Sequence, residues 1–365
     1  MYNYSFKLLF VFILSLFIKN GLYTQDAILT QFNQAPLMLN PAMTGIFNGK
    51  IRVTSSSRVQ LSDQLKGDGY RYASLSADGR KAIGQNYLGY GLSVSRDQSG
   101  ELKYGATQVK LALSFIKNFV QSNGNKHFLA IGQDIGITER RFNLNDARWP
   151  SQYDEDGMWI PNNPVVITLA NFHTEFLHLD LASGIGWDSQ LKGHNRFNLG
   201  FAVHHTNQPN ISFYDVDFPQ TLNARWTAYG SGEVALHNTI SLTPLVAYHR
   251  QGDQSHLQAG AGIRKYINAE SATSYFELSA QFRFSNTGWR LSLADDVIHI
   301  DNGLDSDAFI LAFRGVLEKF SIGLSYDFST VDANPGIGHD GFLELSLGYI
   351  FGPLTSITPS QETTK

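Results

Sequence analysis

The chain predicts an all-β fold: a transmembrane antiparallel β-barrel of the outer-membrane type, with about 14 strands. Three observations carry this. Apolar residues alternate with small or polar ones at period two through most of the chain. The apolar faces are bulky and uncharged and finish in aromatics, as at a bilayer interface. After the first apolar run, no stretch holds the 18 or more consecutive apolar residues of a spanning helix, so any crossing must be by strands. A soluble two-sheet sandwich would alternate too, but its outward faces would carry Lys, Glu and Thr more often than Gly, Ala and Ser.

Composition agrees. The 365 residues include 16 tyrosines, 25 phenylalanines and 33 glycines, which suits aromatic girdles and close strand contacts. A formal charge of −4 gives no basis for nucleic-acid binding. There is no cysteine, which excludes disulfides, thiolate metal sites, a cysteine nucleophile and a lipid anchor at a processed N-terminus.

In chain order, Lys7 precedes an apolar run of 11 residues, 8–18 (LLFVFILSLFI). A spanning helix needs about 20, so the run reads as the core of a secretory signal peptide over residues 1–24. Residues 25–49 contain QFNQAPLMLNPAMTG, punctuated by Pro36, Pro41 and Gly45 and lacking a sustained period. They form a lead-in at the barrel mouth or its periplasmic rim and are a candidate plug. The barrel is expected over 50–352 and a flexible tail over 353–365.

Within the barrel, Leu88, Tyr90, Leu92 and Val94 alternate with Gly89, Gly91, Ser93 and Ser95. Val109, Leu111, Leu113 and Phe115 alternate with Lys110, Ala112 and Ser114. Leu177, Leu179, Leu181, Ile185 and Trp187 oppose His178, Asp180, Ala182, Gly184, Gly186 and Asp188. The same grammar returns around Phe197–Val203, Phe276–Phe284 and Phe320–Phe328. It closes the chain in GFLELSLGYIF, where Leu343, Leu345, Leu347, Tyr349 and Phe351 oppose Glu344, Ser346 and Gly348. The polar side of that last strand, with its carboxylate, suits a hydrated interior. Residues 236–239 and 315–319 look like tight connections, whereas 141–171 and 206–223 are long, as expected of periplasmic turns and extracellular loops. A strict count gives 15 strands, which is incompatible with both ends lying on one side. The segment 289–300 is a poor spanning strand because of Asp295, Asp296 and His299. Moving it to an outer loop leaves 14, and keeping it requires 16.

Several landmarks together resemble the PorP/SprF family of type IX secretion membrane proteins. They are LNPA with a following Gly in FNQAPLMLNPAMTG (Asn40, Pro41, Gly45), LGYGLSVSRDQSG at 88–100, and His-Thr-Asn-Gln-Pro at 205–209 (His205, Pro209). Further on come IGLSYDFS at 322–329 (Tyr326, Asp327) and Gly-His-Asp at 338–340 (His339). Asp340 and an inserted Gly341-Phe342 depart from the family's His-Glu start of the last strand. The resemblance implies an outer-membrane barrel of the secretion and gliding apparatus. Its partners would be outer-membrane lipid, type IX components and a cognate large secreted surface protein, often an adhesin.

No catalytic motif is present, and neither enzyme activity nor a cofactor is expected. His204 and His205 would point to opposite faces of a strand, and His178 with Asp180 supplies two ligands, fewer than a metal site needs. His173 and Glu175 nearby read as ordinary rim residues. Asp295, Asp296, Asp301, Asp305 and Asp307 lack the spacing of a calcium loop and read as solvated charge. Gly260 and Gly262 would let a neighbouring strand or plug approach. Asp327 would face inward, towards Arg283 or Arg264.

Two functions therefore stand: a secretion-partner barrel, and an outer-membrane channel for small or hydrophobic solutes of the fatty-acid-transporter type. The face assignment itself predicts that Leu345→Arg impairs membrane assembly far more than Glu344→Arg, because only the first puts charge in lipid.

Overall fold

A computed structural model describes residues 26–61, 69–100, 102–120, 125–143, 158, 173–191, 194–214, 219–268, 273–286, 290–294, 297–301, 305–330 and 341–353. The expected leader (1–24), the Asp295-Asp296 pair, His339, most of the 141–171 connection and the tail beyond 353 lie outside these residues.

Fourteen strands close into one barrel. They are β1 (Ile51–Leu61), β2 (Arg71–Ile83), β3 (Asn86–Gln98), β4 (Gly105–Val120), β5 (Lys126–Arg141), β6 (Glu175–Gln190), β7 (Arg196–His204) and β8 (Arg225–His237), followed by β9 (Ile240–Gln251), β10 (Gln254–Tyr266), β11 (Tyr275–Asn286), β14 (Asp305–Leu317), β15 (Phe320–Ser329) and β16 (Gly341–Phe351). The remaining two, β12 (Arg290–Ala294) and β13 (Val297–Asp301), pair only with each other. At five residues each they are too short to span, which needs about 9–11. The doubtful segment is therefore an outer hairpin, and the even count stands.

All barrel neighbours are antiparallel, and β1 meets β16 from Ile51↔Phe351 to Leu61↔Gly341. Closure leaves no edge whose backbone groups would face hydrocarbon. The alternation read from sequence maps onto the two faces. Leu111, Leu113, Ile131 and Leu278 are each about 60% exposed, whereas Lys110, Ser114 and Ser279 are buried. A continuous apolar surface of this size is untenable in water and natural in lipid. Phe282, Phe309 and Phe328 stand side by side on β11, β14 and β15 toward one end, and Tyr349 and Phe351 pack together at the other. Those are the two aromatic girdles.

The end holding Ile51 and Phe351 also holds the two-residue turns at 84–85, 238–239 and 318–319. The opposite end holds the long connections 142–174 and 205–224, along with one tight turn at 252–253. By the usual asymmetry of these barrels, the first end is periplasmic and the second faces outward.

Residues 26–50 run through the lumen from the outer end to the inner one. The Asp26 N–H donates to Gln251 at the end of β9 (3.1 Å), and the Lys50 N–H to the Phe351 carbonyl (3.0 Å). Between these points the chain makes only single turns: 3-10 turns at Phe32–Gln34 and Pro41–Met43, and one α-helical turn at Pro36–Leu39. Two of these start on proline, whose missing N–H and fixed φ suit a first helical position. Phe32, Leu39, Ala42, Met43 and Ile46 pack against Tyr87, Ile116, Phe128, Ala130 and Tyr229 from the wall, forming an apolar core inside the barrel.

Leu345→Arg, near the middle of β16, should cost about 2–4 kcal/mol of folding in liposomes, whereas Ile51→Arg at the barrel end should cost about 0–1 kcal/mol. Equal costs in a folded-fraction assay would contradict the assignment of depth.

Candidate functional site: the occupied lumen

The wall that receives residues 40–44 is made of minimal side chains at one height. Register places Gly89 beside Ser114, Ser114 beside Gly132, Gly132 beside Gly184 and Gly184 beside Ala202. These five inward positions on β3–β7 form a furrow across the inner surface. A Cβ on Gly89 would come within 2.3 Å of the Thr44 carbonyl, one on Gly132 within 2.5 Å of the Ala42 nitrogen, and one on Gly184 within 2.0 Å of Asn40 Oδ1. Backbone therefore lies directly on backbone at Gly89 and Gly132, and the Asn40 amide on backbone at Gly184, an approach that a Cβ at these three positions would block.

Asn40 is fully buried and fastens this contact. Its Oδ1 accepts from the Ala42 N–H (2.8 Å), capping the turn at Pro41–Met43. Its Nδ2 donates to the Ile185 carbonyl of β6 (2.9 Å) and reaches Tyr229 Oη (3.3 Å). Ser114 Oγ donates to the Thr44 carbonyl (2.6 Å). Gly45 follows with φ +79°, a left-handed conformation that favours glycine. Its N–H donates to Asp78 (2.7 Å) and its carbonyl accepts from Arg80 (2.8 Å). Arg52 makes a two-pronged ion pair with Asp78 (2.7 and 2.9 Å) and donates to the Met43 carbonyl (3.2 Å). These bonds satisfy the inner end of the segment.

A second anchor holds residues 30 and 31. The Thr30 and Gln31 N–H groups each donate to one oxygen of Glu344, both at 2.8 Å. Thr30 Oγ1 donates to Asp327 (2.9 Å). Arg58 bridges Asp327 (2.8 Å) and Glu344 (3.3 Å), while Arg283 pairs with Asp327 (2.6 Å) and Asp307 (3.0 Å). Gly323 makes room, since a Cβ there would lie 2.0 Å from Gln31 Oε1. Glu344 is 0% exposed, so the β16 interior is not hydrated at this point and its carboxylate serves the segment instead. The tolerance expected of Glu344→Arg is thereby withdrawn. An arginine there would face Arg58 and strand two backbone donors, and leaving a buried charge unpaired costs about 3–5 kcal/mol.

The third anchor is at the outer end. His205 Nε2 and Nδ1 bond Asp26 (2.6 Å) and Asp180 (2.8 Å), and Arg225 also pairs with Asp26 (3.1 Å). Burial alone would push the His205 imidazole down, but the Asp26 charge and the bonds to Asp180 and Asp26 lift it to about 9. Burial would raise Asp26, but His205 and Arg225 hold it well below the ordinary carboxylate range. The two histidines do not point to opposite faces as a continued strand would require. Strand β7 ends at His204, and His205 turns inward with φ +56°, so both rings are buried with centroids 6.5 Å apart.

The other sequence-flagged residues divide. Asp327 meets Arg283 as expected and Arg58 besides, whereas Arg264 pairs with Glu233 and Glu277. Pro41 is buried in the furrow. Pro209 is buried in the β7–β8 connection and accepts from the Leu222 N–H (2.9 Å). Tyr326 faces outward on β15, edge-on to Phe328 at 4.6 Å, and takes no part in the lumen. Gly260 and Gly262 admit the neighbouring strands, not the segment, since the nearest atoms belong to Ala280, Gln281, Thr243 and Ser279. Sequence reasoning missed Arg58, Asp78 and Thr30, and gave no role to Asn207 of the 205–209 landmark. Asn207 extends β6 beyond the end of β7 by bonding the Leu179 carbonyl (2.8 Å) and the Leu181 N–H (3.1 Å). Among the described residues no helix is long and apolar enough to cross a membrane, and no three His, Asp or Glu groups are placed to hold a metal.

A closed antiparallel barrel with an apolar outer band and aromatic girdles defines an outer-membrane β-barrel protein. A family model described as type IX secretion system membrane protein PorP/SprF matches residues 22–349. The chain belongs to that family, which makes it a membrane component of the type IX secretion system. No curated protein matches it. Among solved structures it is similar to CdiB from Acinetobacter baumannii (9% identity, TM-score 0.43), covering 82% of this chain and 60% of CdiB. It is also similar to the Ralstonia pickettii toluene transporter TbuX (10% identity, TM-score 0.45, 87% and 94% covered). The CymD monoaromatic hydrocarbon channel is similar as well (12% identity, TM-score 0.45, 88% and 94% covered).

Substitutions in the furrow should separate seating from barrel formation. Gly132→Val and Gly184→Val should expose residues 26–50 to protease, whereas Gly186→Ala should not, since a Cβ there meets nothing nearer than 3.7 Å. Equal protection in all three variants would remove the furrow's role. At the outer end, the His205 contribution is complete below its ordinary 6.5 and is lost as pH rises through about 9. The Asp26 contribution exists above 3.8 and is lost on acidification below it. An NMR titration of the His205 ring should therefore show a midpoint near 9, and a midpoint near 6.5 would mean the ring does not engage Asp26 and Asp180.

Proposed function

We propose that this protein is an occluded outer-membrane partner of the type IX machinery. It would help a cognate large secreted surface protein reach or remain at the cell surface, with residues 25–49 acting as a plug after removal of a leader at 1–24. The observation that carries this reading is the lumen itself. A segment anchored at its outer end, middle and inner end occupies the space through which a solute would pass. Family membership supports attachment to the secretion apparatus. The long connections 142–174 and 205–224 at the outer end, or the periplasmic rim, offer the contact surface for partners, and no step of the proposal requires catalysis.

The channel reading makes the opposite demand, because the segment would have to leave for solutes to cross. Purified protein in planar bilayers should therefore show no steady conductance. Pull-down of the detergent-solubilised protein, from cells with the machine intact, should recover a large surface protein or type IX components. Steady conductance together with recovery of neither class would replace this proposal with the solute channel.

A further inference from the structure

On the lipid-facing side of β3–β6, the apolar band ends abruptly at the outer rim. Val94, Val109, Ile137 and Leu179 form one register row and are all exposed. The next outward position is Arg96 on β3 and, two steps beyond Ile137 across Glu139, Arg141 on β5; both are exposed. Register sets them around the start of β4: Arg96 pairs with Thr107, and Arg141 with Gly105 on one side and Glu175 on the other. Lys103 stands in the intervening β3–β4 turn, exposed and held at φ +51°.

These side chains line one cleft of about 270 Å³ together with Phe142, Asn143 and Glu175. With Glu139 on the same outward face, in the row of Arg96, the three cations outnumber two carboxylates. Phe142 is fixed beneath by an edge-on contact with Phe213 at 4.7 Å. Arg71 extends the positive charge onto β2, where Ala73 is the direct neighbour of Arg96. Strands β3 and β5 lie about 10 Å apart across β4, within reach of two converging arginines. Arg96 stands two residues and Arg141 four residues past the last apolar position of its strand, rises of about 7 and about 14 Å that lead from acyl chain to headgroup.

We propose that this cleft binds the phosphate of an outer-leaflet phosphorylated glycolipid. Arginine fits such a group because its planar fork gives paired, charge-assisted bonds to phosphate oxygens, while lysine adds a point charge. The acyl chains of the same lipid lie on the exposed row of Val94, Val109, Ile137 and Leu179 below, so headgroup and tail are met by contiguous surfaces. Free phosphate would satisfy only the first of them.

The test uses the full-length protein refolded in detergent and incubated with lipid A, with dephosphorylated lipid A, or with inorganic phosphate. Retained lipid is read by native mass spectrometry. The wild type should retain lipid A and not its dephosphorylated form, and inorganic phosphate should displace it poorly. The triple variant Arg96→Gln, Lys103→Gln, Arg141→Gln should retain about tenfold less. Lys81→Gln with Lys117→Gln, outward cations at the inner end, should behave as wild type. Heat-modifiable gel mobility confirms folding, and Lys103→Gln alone, in the turn, supplies a smaller loss in the same direction if the triple variant does not fold. Equal retention by the outer-rim variants, equal retention of the dephosphorylated lipid, or binding of inorganic phosphate without lipid A would each overturn the proposal.

Discussion

Backbone laid on backbone is the contact from which the rest of this structure follows. Residues 40–44 can touch the inner wall only because Gly89, Ser114, Gly132, Gly184 and Ala202 fall at one height on five consecutive strands. The approach brings polar peptide groups of the segment into an enclosed space, where an unmade hydrogen bond costs about 1–3 kcal/mol. Asn40, Ser114, Asp78, Arg52 and Arg80 supply partners within a few residues of the contact. Apolar side chains of the same segment bury themselves against Phe128, Ile116 and Tyr229 of the same inner wall. Each fully buried side chain of that size contributes about 1.5–3 kcal/mol, so the segment has both a driving force and a fixed register.

The charges inside the barrel take their meaning from that occupancy. A lumen lined by Arg58, Arg283, Asp327 and Glu344 would look like a hydrated pore if the segment were overlooked. With it in place, Glu344 holds two successive backbone N–H groups and Arg58 joins that carboxylate to Asp327. Buried pairs of this kind add little net stability but penalise their own disruption heavily, a property suited to holding a segment in one position. The outer latch of Asp26, His205, Asp180 and Arg225 works the same way, with Asp26 and His205 both charged across neutral pH. An occluded barrel has only its rims and outer wall with which to meet other molecules, which is consistent with a component of a secretion apparatus.

Much of the fold was legible from the sequence. Leu111 against Lys110, or Leu345 against Glu344, reveals which side meets lipid, because one charge in hydrocarbon is costly and period two is a local property. Family landmarks pointed to Asn40, Pro41 and Gly45 but not to what they touch, whereas the inward face of Asp327 led to its partner Arg283. The furrow could not be read, since it depends on which residue of β3 stands beside which of β4, β5 and β6, and register is a relation between distant segments. Glu344 was misread for the same reason: alternation says that it faces inward and is silent on whether water or chain is waiting there. His205 defeated the strand rule because β7 stops one residue earlier and the backbone turns.

The most direct measurement is amide hydrogen exchange of residues 26–50 in the detergent-solubilised protein. The Thr30, Gln31 and Gly45 amides, which donate to Glu344 and Asp78, should exchange as slowly as those of the surrounding strands. Exchange of these three amides at the rate of an unstructured peptide, with the strands still protected, would mean that the lumen is empty in solution and that its glycines and charges serve something else.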